Sequence, residues 1–553
     1  MGPRPALLFK RHGVFRSLDW STYRRLADRL AAALIALRVE PGDCVALFSP
    51  NSVHWLVFDH GTLSAAAVTV PLHASLTAPQ AAFQIRHSGA VVVWVAGREQ
   101  AEKLAAVSDS LPELRAVVTG HRDFPDSWFR CPVHTFDELV HRGRVVLDRQ
   151  PRLVEEREAS IGSETLATII YTSGTTGEPK GVMLTHGNLL SNAVATASIA
   201  GLSGEDLLLS WLPYSHIYAR TVDHYLTTCV GMTVALAEGV DTVVSDARIV
   251  RPTWLTAVPR FYEKLWSAVE ELEPSARGRT LRRLLGGRIR QLTSGGAPLP
   301  RYVAEGFQAA GIPLLEGYGL TESSPVIAFN SPDACRVGTV GRPLPGVEVR
   351  IAEDGEILVR GPNVMRGYWK NPAATAEALA DGWLHTGDVG ELDADGFLTI
   401  TDRKKDLIVT SSGKNVAPAM LERLLTADPW IDQAVVYGDG RSFLTALIVP
   451  DWNAVMQELQ VAEKPDPDEL GVVRDRRVVD ALQRRVEDRM QSVSRPERVR
   501  RIAVLAEPFS VDRDEVTPTL KLRRRHIFQR YQEVLRELYA MPPDSRQQGN
   551  SVE

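Results

Sequence analysis

One sequence feature constrains this chain most: an apolar, β-branched run that ends in a loop of small and hydroxyl-bearing residues. The run TLATIIYTS begins at Thr165, and it leads into YTSGTTGEPKG, which covers Tyr171–Gly181. Its composition indicates a buried strand. The later stretch THGNLLSNAVATAS, from Thr185, has a capping residue and the apolar spacing of a helix. The pattern therefore predicts a strand, a loop and a helix within an α/β protein.

The loop concentrates groups that bind anions. Glycines expose backbone N–H groups, hydroxyls add donors, and a lysine adds a positive charge. The residues concerned are Thr172, Ser173, Gly174, Thr175, Thr176, Gly177 and Lys180. Glu178 and Pro179 separate the last glycine from the lysine, so the loop does not follow the Walker A pattern. A P-loop NTPase is therefore disfavoured.

Length, charge and cysteine spacing argue against several other classes of protein. A chain of 553 residues exceeds one ordinary domain, and its net charge of -5 gives no general attraction to nucleic acid. No apolar run reaches membrane-spanning length, and the first residues lack a signal-peptide pattern. We expect a cytoplasmic protein, and contact with a membrane surface stays open. The four cysteines are widely spaced and show neither metal-ligand nor redox spacing: Cys44, Cys131, Cys229 and Cys335.

The pattern of helix-like and strand-like segments changes along the chain. From Asp19, helical and strand-like patterns alternate, whereas short strands and DG or PG turns dominate residues 338–406. Long Arg- and Glu-rich helical stretches follow. We predict an α/β fold with a large N-terminal domain of several subdomains, two α/β layers plus a β-rich part, and a small, mobile α+β C-terminal domain. The predicted limits are residues 1–402 and 403–540, with 541–553 as a disordered tail.

The phosphate-binding pattern also carries a resemblance. YTSGTTGEPKG followed by VMLTHGNL resembles the phosphate-loop signature of the adenylate-forming superfamily, which includes acyl-CoA synthetases, adenylation domains of peptide synthetases and firefly luciferase. The resemblance implies that the loop holds the phosphates of ATP. It covers nearly the whole chain, from about Asp19 to Tyr539.

Two further segments resemble the nucleotide signatures of this superfamily. QLTSGGAPLP resembles the strand and turn beside adenine, which implies that Gly295, Gly296 and Ala297 let the backbone approach the base. GYGLTE resembles the next signature. It implies that Tyr318 lies against adenine, Thr321 faces the α-phosphate and Glu322 holds magnesium.

Later segments complete the resemblance. WLHTGD and DRKKD imply that Asp388 and Arg403 bind the ribose and that Lys405 is the hinge between the domains. VTPTLKL implies that Lys521 reaches the acid and the α-phosphate. In SSGKN, the resemblance implies that Gly413 leaves room for the pantetheine of CoA.

A histidine motif departs from the family pattern. His216, in WLPYSHIY, corresponds to a family residue at the mouth of the acyl channel, although a satisfied core histidine is the alternative. Relatives commonly carry Glu-Arg after this stretch, whereas this chain has Ala219 and Arg220. The role of that glutamate therefore does not transfer.

The resemblance is strongest to bacterial long-chain fatty-acid:CoA ligases. It implies ATP-dependent conversion of a fatty acid to acyl-AMP with release of pyrophosphate, followed by transfer to CoA, with Mg2+ as cofactor. One alternative is a ligase that passes the acyl group to an acyl-carrier protein. Another is a catalytically silent regulator that binds nucleotide or acyl groups. The basic cluster at residues 495–501 and 521–525 could meet the CoA phosphates or an anionic membrane, and a solvated face is an equal alternative.

Overall fold

The computed structural model describes residues 2–121, 123–172, 179–404, 408–411, 415–461, 463–494, 497–517 and 522–540. The chain forms two compact units. One contains Met1–Thr386 and Glu391–Thr399, and the other contains Gly387–Gly390 and Ile400–Glu553. The domain limit expected after residue 402 stays a prediction, and the expected tail at 541–553 lies outside the described residues.

The first part of the larger unit alternates strands and helices, as the sequence predicts. Its strands are β1 Pro5–Arg11, β2 Val14–Asp19, β3 Cys44–Phe48, β4 Val68–Leu72, β5 Ala90–Val95, β6 Ala116–Thr119 and β7 Val133–Thr135. Its helices are α1 Trp20–Ala36, α2 Val53–Ser64, α3 Ala78–Ser88, α4 Arg98–Ala105, α5 Phe136–Arg149 and α6 Leu153–Glu158. The Asp19 carboxylate accepts from the Thr22 backbone N–H at 2.8 Å and caps α1.

The middle part continues this alternation. Its strands are β8 Leu166–Thr172, β9 Lys180–Thr185, β10 Leu207–Ser210, β11 Thr233–Leu236, β12 Trp254–Ala257, β13 Gln291–Ser294, β14 Leu314–Gly319 and β15 Val326–Phe329. Its helices are α7 His186–Ala200, α8 Ile217–Ala219, α9 Thr227–Val230, α10 Val243–Val250, α11 Pro259–Ser267, α12 Pro274–Leu284 and α13 Arg301–Ala309. A π-helix, Arg220–Leu226, connects α8 to α9.

The loop region differs from the predicted strand, loop and helix. A second strand, β9, intervenes and pairs antiparallel with β8. Its residues Val182 and Leu184 are buried, so this short apolar segment gains more from joining the sheet than from remaining in a loop. The helix itself is confirmed, since Thr185 caps α7 through the Asn188 backbone N–H at 3.1 Å.

Short strands follow, as expected for residues 338–406. They are β16 Arg342–Pro343, β17 Glu348–Ile351, β18 Glu356–Arg360, β19 Gly367–Tyr368, β20 Leu384–Leu392 and β21 Leu398–Arg403, with one helix, α14 Pro372–Ala378. The division between the two units runs through β20 and β21.

Two large sheets organise the larger unit. Their strand orders are β16-β15-β14-β13-β12-β10-β11-β1-β2 and β19-β9-β8-β4-β3-β5-β6-β7. A third, four-stranded sheet has the order β17-β18-β20-β21. Central strands are parallel and buried along their whole length, as in β3. Strands β8, β13 and β14 each lead at their carboxyl ends into a predicted nucleotide segment. In open α/β sheets, ligands bind at such ends.

The smaller unit has its own core. Its strands are β22 Ile408–Val409, β23 Asn415–Val416, β24 Ile431–Tyr437, β25 Leu444–Pro450, β26 Val472–Val473 and β27 Val499–Leu505. Its helices are α15 Pro418–Thr426, α16 Trp452–Leu459, α17 Arg476–Arg489, α18 Arg524–Arg530 and α19 Gln532–Ala540. The sheet β24-β25-β27-β26 carries apolar side chains on both faces. None of the helices in the described part of the chain has the length and apolarity needed to cross a bilayer.

The contact between α1 and α5 generates a stability prediction. A Cβ on Gly143 would overlap the carbonyl oxygen of Arg29, whereas a Cβ on Gly162 would meet no atom within 4 Å. Gly143→Ala should therefore lower the free energy of unfolding by about 1–3 kcal/mol because two helix backbones must move apart. Thermal melts of this variant and of the control Gly162→Ala measure the effect, and equal melting temperatures would contradict it.

Candidate active site

The phosphate loop joins two paired strands. Ser173, Gly174, Thr175, Thr176 and Gly177 lie outside the described residues. The residues that flank the loop are described: Thr172 stands opposite Lys180 in the β8–β9 ladder, and its hydroxyl donates to the Lys180 carbonyl at 3.5 Å. The ends of the loop are therefore fixed by a buried sheet.

Gly181 brings a third strand against this hairpin. A Cβ on Gly181 would lie 2.8 Å from Ile169 Cγ2 and 3.3 Å from Trp369 Cβ. The missing side chain lets the Trp369 backbone N–H donate to the Gly181 carbonyl at 2.7 Å. As a result β19 pairs with β9, the strand that begins with Lys180.

Tyr368 in β19 joins two predicted site residues. Its hydroxyl donates to Glu322 Oε1 at 2.8 Å, and Lys180 Nζ lies 5.0 Å from the centroid of its ring. Burial, followed by the negative charge of Glu322, raises the pKa of Tyr368 well above its ordinary value. The phosphate-loop lysine and the predicted magnesium ligand therefore contact one side chain. The sequence patterns did not point to this tyrosine.

Buried contacts fix the turn that carries Thr321 and Glu322. A Cβ on Gly319 would overlap the Pro325 carbonyl oxygen, so this position needs glycine. The Ser323 hydroxyl accepts from the Leu320 backbone N–H at 3.0 Å and is itself buried. Thr321 and Glu322 stay half-buried beside it.

Two asparagines hold this turn from behind. The Asn363 amide donates to the Ser323 carbonyl at 3.0 Å, and the Asn192 amide donates to the Val326 carbonyl at 2.7 Å. Both side chains are buried. Neither was predicted, because an isolated asparagine gives no pattern in the sequence. Tyr318 precedes the turn at the end of β14 and is half-buried, as is compatible with a ring that contacts a base.

The predicted adenine turn follows β13. Gly295 is buried, and a Cβ there would lie 2.9 Å from Tyr218 Cζ. Gly296 has a φ of 80°, which favours glycine, and both it and Ala297 are exposed. The structure thus presents an open backbone at this turn, with the Tyr218 ring packed beneath it.

His216 caps the start of the short helix α8. Its Nδ1 accepts from the Tyr218 backbone N–H at 3.2 Å, and its carbonyl accepts from the Arg220 backbone N–H at 3.1 Å. The side chain is half-buried. Its capping role is structural, and its place at the acyl channel stays a prediction.

Arg220 is at the centre of a buried ionic cluster. Its guanidinium pairs with the Asp59 carboxylate and donates to the Thr168 hydroxyl at 2.6 Å. Tyr225 donates to the same carboxylate at 2.7 Å, and His224 hydrogen-bonds to it at 3.2 Å. Burial opposes ionisation of Asp59, but the Arg220 charge and the His224 contact outweigh it and hold the pKa of Asp59 well below its ordinary value. The cluster therefore ties the π-helix to β8.

Asp223 lies one turn further along the π-helix and has the opposite electrostatic balance. It is fully buried and accepts from the Ser210 hydroxyl at 2.8 Å, and Ser210 in turn accepts from Tyr214 at 2.9 Å. Burial raises the pKa of Asp223 to about 7, despite the opposing hydrogen bond from Ser210.

The two predicted ribose residues contact each other in the smaller unit. Arg403 Nε donates to Asp388 Oδ1 at 2.8 Å, with the carboxylate buried and the guanidinium about half exposed. The structure therefore brings Asp388 of the TGD motif into contact with Arg403 of the DRKKD motif. Lys405, Gly413 and Lys521 lie outside the described residues, so their predicted roles stay predictions.

The chain matches one enzyme family along most of its length. Residues 2–369 match the family described as AMP-binding enzyme, and residues 405–542 match its AMP-binding enzyme C-terminal domain. This chain belongs to the AMP-binding enzyme family. The predicted superfamily is therefore confirmed.

Individual relatives are similar over nearly their whole lengths. The chain is 35% identical to the long-chain-fatty-acid–CoA ligase FadD15 of Mycobacterium tuberculosis, with 94% of each chain covered. It is 28% identical to the long-chain-fatty-acid–[acyl-carrier-protein] ligase AEE15 of Arabidopsis thaliana, over 94% of this chain and 82% of the relative. The fold matches the O-succinylbenzoate coenzyme A synthetase MenE of Bacillus subtilis in complex with AMP, with a TM-score of 0.71, 25% identity and coverage of 94% and 95%. The predicted fold class is confirmed.

The buried Asp223 generates a pH prediction. Its folded pKa of about 7 exceeds the value of about 4 in an unfolded chain, so the folded protein binds more protons between these limits. Stability from the protonated form is lost as pH rises through this window, by about 1.4 kcal/mol per pH unit at most. Asp223→Asn does not titrate, so its melting temperature relative to the wild type should increase from pH 5 to pH 8.

The control for this prediction is Asp333→Asn, which changes an exposed aspartate of the same unit. Its melting temperature relative to the wild type should stay constant over the same range. A constant difference for Asp223→Asn as well would contradict the prediction.

Proposed function

We propose that this protein activates a long-chain fatty acid with ATP to give acyl-AMP and pyrophosphate, and then transfers the acyl group to CoA. The observation that carries the proposal is the contact of Lys180 and Glu322 with one tyrosine at the carboxyl ends of parallel strands. A site for a nucleoside triphosphate requires such a cation for the phosphates and such a carboxylate for the magnesium ion. The near-full-length similarity to a long-chain-fatty-acid–CoA ligase supports the choice of acid.

The chemistry explains why such a site is needed. A carboxylate is a poor acylating agent because its leaving group would be an oxide ion. Attack of the acid oxygen on the α-phosphorus of ATP forms the acyl–phosphate bond and breaks the bond to pyrophosphate. AMP then becomes the leaving group in the second step. Positioning of the reactants and stabilisation of charge on the phosphoryl oxygens dominate such a reaction.

Side chains of this protein supply these two effects. The loop hydroxyls and Lys180 hold the β- and γ-phosphates, Thr321 donates to the α-phosphate, and Tyr318 lies against adenine. Lys521 neutralises charge between the acid and the α-phosphate, and His216 lies at the acyl entrance. Asp388 accepts from the ribose hydroxyls, with its orientation fixed by Arg403.

Glu322 fits the requirement of a magnesium ion that is shared with ATP. Magnesium is usually bound by one or two carboxylates together with substrate phosphates, not by a protein cage. Among the residues that the structure describes, no group of three or more His, Cys, Asp or Glu side chains could hold a metal. Glu322 is half-buried on a fixed turn, which agrees with a single protein ligand. When bound, magnesium would offset charge on the phosphate oxygens.

The second step requires a different arrangement. The CoA thiolate attacks the acyl carbon of acyl-AMP and expels AMP, so Lys521 must leave the path of the thiol. We propose that the smaller unit rotates about Lys405 and that Gly413 then lets pantetheine pass.

Other acceptors and surfaces are weaker proposals. Similarity to an acyl-carrier-protein ligase favours a carrier as the second candidate acceptor. A silent regulator has no need of Thr321, Glu322 and Lys521 together.

Contact of the basic cluster with an anionic membrane is less favoured. Arg498 donates to the Val493 carbonyl at 2.9 Å, and others of the basic cluster are paired internally, namely Arg501 with Leu538, Arg523 with Asp514 and Arg524 with Glu422.

A pyrophosphate-release assay tests the proposed function. Saturated fatty acids of increasing chain length are supplied with ATP and Mg2+, and either CoA or an acyl-carrier protein is the acceptor. We expect release with long-chain acids, and acyl-CoA as the product. If none of the fatty acids in the series caused pyrophosphate release, the proposed substrate class would be refuted. Acyl transfer to the carrier alone would establish the second candidate instead.

Lys521→Ala separates the two half-reactions. We expect loss of acyl-AMP formation by at least about 100-fold, because a positive charge at the reacting phosphoryl group is removed. Thioesterification of supplied acyl-AMP should be unchanged. ATP–pyrophosphate exchange measures the first step, and normal exchange would contradict the role. Lys464→Ala, in which a lysine paired with Glu507 is removed from the same unit, is the control.

A further inference from the structure

Backbone contacts fix Tyr368 beside β9, the strand that begins with Lys180. It stands opposite Val182 in the β19–β9 pair, and its backbone N–H donates to the Thr375 hydroxyl at 2.9 Å. The flanking Arg366 and Trp369 donate from their backbones to β9 at 3.0 and 2.7 Å. The backbone N–H of Met365 donates to the Glu322 carbonyl at 2.8 Å. The segment 365–369 therefore spans from the Glu322 turn to the strand that begins with Lys180.

The Tyr368 side chain contacts both charged groups through different atoms. Its hydroxyl donates to one oxygen of the Glu322 carboxylate, and its ring lies near the Lys180 ammonium. A hydrogen bond restricts rotation of the carboxylate, and the ring face attracts the cation. One rigid side chain, fixed by its backbone, thus limits the freedom of two flexible ones.

From these contacts we propose that Tyr368 is a positioning residue for the magnesium–ATP complex. Its hydroxyl orients Glu322 toward the metal-bound form of ATP, and its ring retains Lys180 where the phosphates bind. The inference rests on the proposed function. It assigns a role to a residue that none of the sequence signatures contains.

The two contacts can be separated by substitution. Tyr368→Phe removes the hydroxyl and keeps the ring, so the Glu322 contact is lost and the Lys180 contact remains. Tyr368→Leu removes both. The matched control is Tyr531→Phe, because the buried Tyr531 also donates to a glutamate, Glu515 at 3.2 Å, in the smaller unit.

The test is calorimetric titration of the full chain with ATP, once with EDTA and once with Mg2+. For Tyr368→Phe we expect the Kd of ATP with Mg2+ to rise about tenfold, since a hydrogen bond to a charged group is lost. The Kd with EDTA should stay within about twofold of the wild type, because the ring still contacts Lys180. The Mg2+ concentration for half-maximal pyrophosphate release should rise in parallel, and thioesterification of supplied acyl-AMP should not change.

Tyr368→Leu should also weaken ATP binding in EDTA by about threefold or more, since the cation–ring contact is lost. Tyr531→Phe should match the wild type in all titrations. An unchanged Mg2+ dependence in Tyr368→Phe, or an equal loss with and without Mg2+, would overturn the inference alone. A wild type that binds no ATP under either condition would overturn the proposed function as well.

A double substitution provides a second test, which remains valid if the Tyr368→Phe protein is somewhat less stable than the wild type. If Tyr368 acts through Glu322, Tyr368→Phe should have no further effect on Mg2+ dependence in a Glu322→Gln background. Independent effects would multiply, because residues that do not share an interaction contribute additively in free energy. Multiplication of the two losses would therefore refute the positioning role even where the single variant is less stable.

Discussion

The antiparallel pairing of β8 with β9 is the constraint on which the candidate site depends. It fixes both ends of the phosphate loop, places Lys180 at the start of a buried strand, and offers an edge to which β19 is added. Because β19 carries Tyr368, the same pairing brings the Glu322 turn and the lysine to one side chain. A shift of β9 by one residue would turn Lys180 to the other face of the sheet, since side chains alternate along a strand.

A buried charge pair supports this hairpin from within the larger unit. Arg220 contacts both the Asp59 carboxylate and the hydroxyl of Thr168, which also donates to the Thr69 carbonyl at 2.6 Å. Charged groups without access to water are costly unless each has a partner, and loss of one partner leaves the other unpaired. The arginine after Ala219 is therefore accounted for by packing beneath the phosphate-loop strand.

The sequence was most informative where chemistry needs several residues at fixed spacing. Apolar periodicity, a capping residue and long motifs predicted the α/β class, helix α7 and the family. Strand β9 was not foreseen, since four apolar or small residues after a lysine read equally as the end of a loop. Three residues of the site could not be predicted, because none belongs to a motif and each contacts partners from distant segments of the chain. They are Tyr368, Asn192 and Asn363.

The same argument explains why the acid is the least determined part of the function. Activation of a carboxylate requires polar groups in a defined order, and such groups leave motifs in a sequence. Recognition of an alkyl chain requires apolar walls at a certain depth, and apolar walls have the composition of any core. The π-helix Arg220–Leu226 is a buried segment that is not apolar throughout, because its Asp223 is buried together with Ser210 and Tyr214. A π-helix alters the spacing of side chains and is often retained at functional sites. The buried hydrogen bonds of Asp223 therefore fix how this helix packs within the larger unit, which apolar composition alone would not do.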